Sequence, residues 1–196
     1  MKPTPYRRGN LREALLSRAV AVLEERGSAA LSLRELARDV GVSHAAPARH
    51  FADRTHLLEA LAVEGFRILE VQLRASADAG ESVIDQAGRM ARTYLTFTIE
   101  KASLVEVMFR HESGMNREAI GVSAAAAFEP LLTMFRRAQE SGSLRDGDDA
   151  TATATSFLAT LQGTAALVNC GVVEEEAAYD LVEDAVTRYL HEPVPS

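Results

Sequence analysis

The side chains that could do chemistry in this chain concentrate between Leu31 and Leu61, in the stretch LSLRELARDVGVSHAAPARHFADRTHLLEAL. Three kinds of polar group recur there: hydroxyls at Ser32, Ser43 and Thr55, guanidiniums at Arg34, Arg49 and Arg54, and imidazoles at His44 and His50. Nowhere in the chain do they join a nucleophile elbow, a metal-ligand spacing, a phosphate-cradling glycine loop or paired acids. No enzyme, cofactor or metal is therefore expected. Hydroxyls and guanidiniums near helix starts suit phosphate oxygens, and such contacts position a protein without reading sequence. Small or long polar side chains on one slim helix face can enter a major groove about 12 Å wide and reach base edges. By residue type alone, these groups read first as helix caps and solvated charge, and second as contacts to double-stranded DNA.

Short helices must present these groups. Ser32 with Glu35 forms a capping box, S-L-R-E, that opens a helix from Leu33 to Val40. Its apolar face is Leu33, Leu36, Ala37 and Val40, and Gly41 ends it. Ser43 is placed to cap a third, short helix, His44 to Phe51. That helix is polar outward at His44, Arg49 and His50, slim at Ala45, Ala46 and Ala48, and turns Phe51 inward. Pro47 falls at its fourth residue, where the missing N–H would have been the first to bond within the helix. Ala46, before the proline, is biased away from α geometry, so a tight or 3₁₀-like start is expected. Upstream, Leu11, Leu15, Leu16, Ala19, Val20 and Leu23 form an apolar stripe closed by Gly27. Downstream, Asp53 is placed to cap a long helix, Arg54 to Ser76. Two short helices joined by Gly41-Val42-Ser43 have the proportions of a helix-turn-helix.

On these residues the stretch resembles the N-terminal domain of the tetracycline-repressor (TetR) family. Leu33-Arg34-Glu35-Leu36-Ala37, Gly41-Val42-Ser43, His50-Phe51, Arg54 and Leu57-Leu58 match that pattern in type and spacing over about residues 10 to 60. Ala48 stands where the family usually carries a phosphate-touching Tyr. The resemblance implies phosphate contact for Ser32, Ser43, Arg54 and Thr55, and base or phosphate contact for His44 and Arg49. Ala45 and Ala46 would lie in the groove and Arg34 beside it. His50 lies either against the DNA backbone or in half-buried packing. The N-terminal arm Tyr6-Arg7-Arg8 would add phosphate affinity.

The remainder reads as further helices: Ser82 to Lys101, Ser103 to His111, Val122 to Ser141, Asp149 to Asn169 and Glu174 to Leu190. The fold class is thus all-α, with about nine helices. A three-helix helix-turn-helix domain at 1–54 precedes an effector-binding and dimerisation domain at 55–196. Net charge is −7 over 196 residues. It divides into ten Lys and Arg against seven Asp and Glu in residues 1–60, and eleven against twenty-one beyond. A mildly basic head on an acidic body fits DNA contact by the head alone. The basic start MKPTPYRRGN is not followed by an apolar core, and no run of about 18 apolar residues appears. No signal peptide or membrane span is expected. One cysteine, Cys170, leaves no intrachain disulfide and makes the cytoplasm the default compartment.

In the body, Phe66, Met90, Tyr94, Phe97, Thr98, Met108, His111, Phe128, Met134, Phe135 and Gln162 are candidates to line a largely apolar effector cavity. For any one apolar member plain core packing is the stronger reading, and only as a set do they suggest a cavity. An apolar or aromatic small molecule is the expected ligand. The stretch SGSLRDGDDATATATSFLATLQGTAALV, with Gly163, resembles the eighth helix of the family. That implies a homodimer through helices 149–169 and 174–190. Its expected stripes are Ala152, Ser156, Ala159, Gly163 and Ala166 on one helix, and Leu181, Val182, Ala185, Val186 and Tyr189 on the other.

Overall fold

The structure, a computed structural model, describes residues 11–77, 82–110, 114–145 and 147–192. Among them the chain forms eight α-helices, two 3₁₀ turns and no strand. The helices are α1 Leu11–Arg26, α2 Leu33–Val40, α3 Arg54–Ser76, α4 Val83–Glu100, α5 Ala102–Phe109, α6 Arg117–Glu140, α7 Ala150–Asn169 and α8 Glu175–Tyr189. Two compact units result: Met1–Phe66 with Lys101–Ser123, and Arg67–Glu100 with Ala124–Ser196. The helix-turn-helix segment lies within the first, together with the start of α3 and all of α5.

The first unit is organised by α1. Its apolar stripe buries Ala14, Leu15, Leu16, Ala19, Val22 and Leu23, wide enough to pack α2 on one side and α5 on the other. Burying each leucine contributes about 1.5–3 kcal/mol. Polar ties fix the arrangement. Glu24 accepts the Leu104 N–H at 3.3 Å, and Glu59 on α3 accepts the Asn116 N–H at 3.0 Å just before α6. Asn116 in turn caps α6, taking the Ala119 N–H at 3.1 Å. This cap explains why α6 begins at Arg117 rather than at the expected Val122.

The second unit buries an aromatic chain. Phe135 and Phe157 lie 5.4 Å apart between ring centroids, and Phe157 meets Tyr189 edge-on at 5.5 Å. Around it α4, α7 and α8 pack mutually. Thr96 and the Tyr179 hydroxyl share a 2.8 Å hydrogen bond, and Asn169 donates to the Thr98 carbonyl at 3.2 Å. By length and composition α6 is apolar enough to cross a membrane. In the fold it packs Ala127, Pro130, Leu131, Met134, Phe135 and Ala138 into the core.

Burial corrects one sequence expectation. On α8, Val182, Ala185 and Val186 face inward, and Tyr189 is half-buried. They belong to the chain's own core, because α8 must cover α4 and α7 before anything else. Its outward face is Ala177, Leu181, Asp184 and Arg188. The α7 stripe, Ala152, Ser156, Ala159, Gly163 and Ala166, is exposed throughout.

Gly65 marks the closest approach of α3 to α5. A Cβ there would stand 2.6 Å from Met108 Sδ and 3.2 Å from Leu104 Cγ, whereas at Gly88 on α4 it would meet nothing within 4 Å. Gly65→Ala should lower stability by about 1–2 kcal/mol through overpacking. Gly88→Ala should raise it by up to about 1 kcal/mol through helix propensity. Urea denaturation of the two variants reads the opposite signs, and equal signs would contradict this packing.

Candidate nucleic-acid interface

The segment meant to read DNA depends first on how α2 stops. Gly41 adopts a left-handed conformation, φ 79°. Its N–H donates to the Arg38 carbonyl at 3.1 Å, and the Val42 N–H donates to the Ala37 carbonyl at 2.9 Å. This pair of bonds satisfies the last turn and reverses the chain, at a φ that favours glycine. Val42 is half-buried beyond the turn, and Ser43 begins the exposed segment.

The expected third α-helix, His44 to Phe51, is not formed. A turn closed by the Ala46 N–H on the Ser43 carbonyl, 2.9 Å, leads into a 3₁₀ turn, Pro47–Arg49. The Arg49 N–H bonds the Ala46 carbonyl at 3.2 Å, and the His50 and Phe51 N–H groups both bond Pro47 at 2.9 Å. Pro47 has no N–H to return to Ser43, so the first α bond is missing, and the bonds to Ser43, Ala46 and Pro47 take the shorter i−3 spacing, apart from the one i−4 bond from Phe51. Ala46 itself sits in the α region, φ −66° and ψ −42°, contrary to the bias expected before proline. Two buried residues, Pro47 and Phe51, anchor the segment. Arg12 covers the Phe51 ring at 5.7 Å.

Around those anchors the segment faces largely outward. Ser43, His44, Ala45, Arg49 and His50 are exposed, as are Arg34 on α2 and Arg54 at the start of α3; Ser32, Ala46 and Thr55 are half-exposed. His50, open between surface and packing roles, is on the surface with its ring 6.4 Å from Phe51. Ser32 occupies the N-cap position of α2, but its hydroxyl makes no cap hydrogen bond, so the expected capping box is not closed. Arg54 already has one partner: Nη2 donates to the Ser28 carbonyl at 2.9 Å. Arg110 reaches the Ser28 hydroxyl at 3.4 Å, so the turn after α1 is held from α3 and from the end of α5. The arm Tyr6-Arg7-Arg8 lies outside the described residues.

Charge fixes the frame behind this surface. Arg18 on α1 bonds Asp39 on α2 through Nε at 3.0 Å and Glu25 at 3.2 Å. The hydrogen bond from Arg18 holds the Asp39 carboxyl below its usual range. Glu24, partly withdrawn from water against α5, is pushed up. At the start of α3, Asp53 caps the helix as expected, accepting the His56 N–H at 3.0 Å and facing His56 Nδ1 at 2.9 Å. The backbone bond lowers Asp53, and the carboxylate raises the imidazole.

The expected effector residues divide between the two units. Phe66 and Met108 are buried in the first; Met90, Tyr94, Phe97, Thr98, Met134 and Phe135 are buried in the second. Phe128 and Gln162, also in the second, are partly exposed. Tyr94 ties the last two together: its ring lies 6.1 Å from Phe128 and its hydroxyl donates to Gln162 Oε1. Burial pushes the Tyr94 phenol far above its ordinary range. His111 lies outside the described residues. A groove between α6 and α7 is lined by Phe128 and by residues that the sequence pattern did not single out, among them Leu132, Arg136, Thr155 and Leu158. Among the described residues no three His, Cys, Asp or Glu cluster as a metal site would require.

Residues 15–61 match a family model described as bacterial regulatory proteins, tetR family. The nucleoid occlusion factor SlmA of Vibrio atlanticus is 25% identical over 142 residues, 72% of each chain. That of Marinobacter nauticus is 27% identical over 136 residues, 69% of this chain and 70% of the relative. Among solved structures, a protein with unknown function from Rhodococcus sp. RHA1 is 33% identical with a TM-score of 0.81, over 95% of this chain and 98% of that one. The TetR family transcriptional regulator PfmR of Thermus thermophilus, 20% identical over 91% and 99%, shares the fold with a TM-score of 0.68.

The Asp53–His56 pair makes the start of α3 pH-sensitive. The imidazole contribution is complete below its ordinary value of 6.5 and is lost as pH rises through the raised folded value. The Asp53 contribution is present above 3.8 and is lost as pH falls through its lowered folded value. The melting-temperature deficit of His56→Ala should therefore be larger at about pH 5.5 than at about pH 8.5. Equal deficits at both would mean that the ring does not pair with Asp53.

Proposed function

We propose that this chain, whose residues 15–61 match the tetR family model, is a ligand-responsive transcriptional repressor of that family that binds a near-palindromic operator as a dimer and releases it when a small effector binds. The observation that carries the reading is the segment 43–50. It is anchored from within by Pro47 and Phe51 and offers Ser43, His44, Ala45, Arg49 and His50 outward. His44, Ala45, Ala46 and Arg49 would enter the major groove, with Arg34 and His50 at its edge and Ser32, Ser43, Arg54 and Thr55 on phosphates. A 3₁₀ turn presents fewer residues along the groove than an α-helix, so base reading would rest heavily on Arg49 and His44.

Dimerisation is supported by the outward faces of α7 and α8. Small residues on α7 permit close helix approach. Leu167 and Leu181, 42% and 45% exposed, supply apolar area, as does Val172 at 71%. A buried total above about 2,000 Å² is expected for such an obligate pair. The dimer would set two reading segments about 34 Å apart. An effector in the second unit would act through α3, which is continuous from Arg54 to Ser76 and has residues in both units. It would shift the population away from the spacing that meets both half-sites. Promoter binding would place this activity in the cytoplasm.

The nucleoid occlusion factors among the relatives favour a second reading, in which the same head serves nucleoid occlusion. Genome-wide mapping of bound sites separates the two. Promoter-proximal sites support regulation; sites spread along the chromosome away from promoters support occlusion.

Fluorescence polarisation on the chain's own promoter DNA tests the head. Arg49→Ala should reduce discrimination between operator and mutated operator by about 1–3 kcal/mol. Arg54→Ala should weaken all sequences alike and flatten the log–log salt slope by roughly one unit. It should also lower the melting temperature, because the Ser28 carbonyl loses its tie to α3 and keeps only the Leu31 N–H at 3.3 Å. Equal losses from both variants on both DNAs would remove the division between reading and positioning residues. Light scattering at micromolar concentration should give a dimer mass, and a monomer would refute the interface.

A further inference from the structure

The groove between α6 and α7 has a volume of about 360 Å³ and lies wholly in the second unit. A water in the liquid takes about 30 Å³, so the groove holds about a dozen water-sized groups, in the range of small-ligand sites. Its walls are mostly apolar, with Phe128, Leu132 and Leu158 prominent. On α6 the lining runs from Ala125 to Arg136, about 16 Å at 1.5 Å per residue. It is therefore long and narrow rather than round.

Two charged side chains line it, Glu129 and Arg136, and they are not equivalent. Glu129 is already engaged: Arg74 Nη1 stands 3.8 Å from one carboxylate oxygen, and the Thr133 hydroxyl donates to the other at 2.5 Å. Arg136 is exposed and makes no ion pair or side-chain hydrogen bond among the described residues. Arg74, which also pairs with Glu70 at 2.9 Å, and the Thr133 hydroxyl engage Glu129 in part, whereas Arg136 is open, so the Arg136 end of this apolar groove is complementary to an anion. At the other end Phe128 is backed by the buried Tyr94, whose hydroxyl is fixed on Gln162, so that wall is firm.

We propose that this groove binds an amphipathic organic anion: a carboxylate on an unbranched apolar body of about ten carbons, sized to the groove volume. Arg136 meets the carboxylate with its planar pair of N–H donors, and the body lies along Leu132, Leu158 and Phe128. The assignment rests on the reading of the second unit as an effector-binding body, and it names the site and the ligand class. A cationic ligand at the Arg136 end would face an open guanidinium, and Glu129 is already partly engaged by Arg74 and Thr133. A neutral ligand would leave Arg136 unused.

The test uses the full chain, with decanoate as the probe and decanol as its neutral counterpart, in calorimetric titration and thermal melting. Decanoate should bind more tightly than decanol and raise the melting temperature. Arg136→Gln should weaken decanoate by about 10- to 100-fold while leaving decanol unchanged. Thr155→Phe, at an exposed lining position, should abolish binding of both; Arg137→Gln, outside the groove, should alter neither. Decanoate binding that survives both Arg136→Gln and Thr155→Phe overturns the proposal. So does an absence of decanoate binding, or decanol binding as tightly as decanoate. If Thr155→Phe changes the mass in sedimentation and leaves decanoate binding intact, a second copy covers the groove and the proposal fails. If decanoate binds through Arg136 yet leaves DNA affinity unchanged, the groove stands and the effector reading fails instead.

Discussion

The burial of α1 on two sides at once is the constraint on which the rest of the first unit depends. Leu15, Leu16, Val22 and Leu23 are nearly or wholly removed from water, which one short helix could not achieve. It takes α2 on one side and α5 on the other, although some sixty residues separate α2 from α5 in the sequence. The helix-turn-helix segment is thus not a free-standing head. Its frame includes an element that follows α4, and Glu24, Ser28, Arg54 and Arg110 tie the corners of that frame. These ties are partly exposed and individually weak; their effect is orientation more than stability.

Within this frame the reading segment is held by few bonds. Gly41 reverses the chain, Pro47 withholds the first α bond, and Pro47 with Phe51 supplies the buried anchor. Between those fixed points the backbone has few bonds, mostly of turn and 3₁₀ spacing with one i−4 bond from Phe51 to Pro47. Such a segment loses little if its outward side chains change, because none of them supports the core. Anchoring and exposure are separated by position: the two buried anchors stand among exposed residues within one short segment.

The second unit solves a different problem. The inward faces of α4, α7 and α8 are spent on one another, and Val182, Ala185 and Val186 are used there. What remains outward on α7 is small, and what remains outward at the α7–α8 corner is apolar at Leu167, Val172 and Leu181. Between α6 and α7 the packing is incomplete, and Phe128, Leu132 and Leu158 line the gap. A face that is small and apolar and a groove that is apolar with one open cation are different surfaces, one suited to another helix and the other to an elongated anion.

The sequence alone determined the elements where local signals are strong. α2 and α3 run as their caps and apolar periods require, Leu33–Val40 and Arg54–Ser76, because Gly41 and Asp53 act on their own neighbours. It also carried the helix-turn-helix proportions and the resemblance to the TetR family, since those rest on spacing within some fifty residues. The 3₁₀ form of 47–49 was half legible, through the missing N–H of Pro47. The start of α6 at Arg117 depends on Asn116 and on Glu59, which lies fifty-seven residues away. Which apolar residues of α8 are interior, which of the Phe and Met side chains are core, and that Arg136 is open while Glu129 is engaged were decided only by tertiary packing. Periodicity identifies a helix's apolar face without saying what covers it, and a charged side chain's partner is fixed by proximity in space, which sequence spacing does not encode.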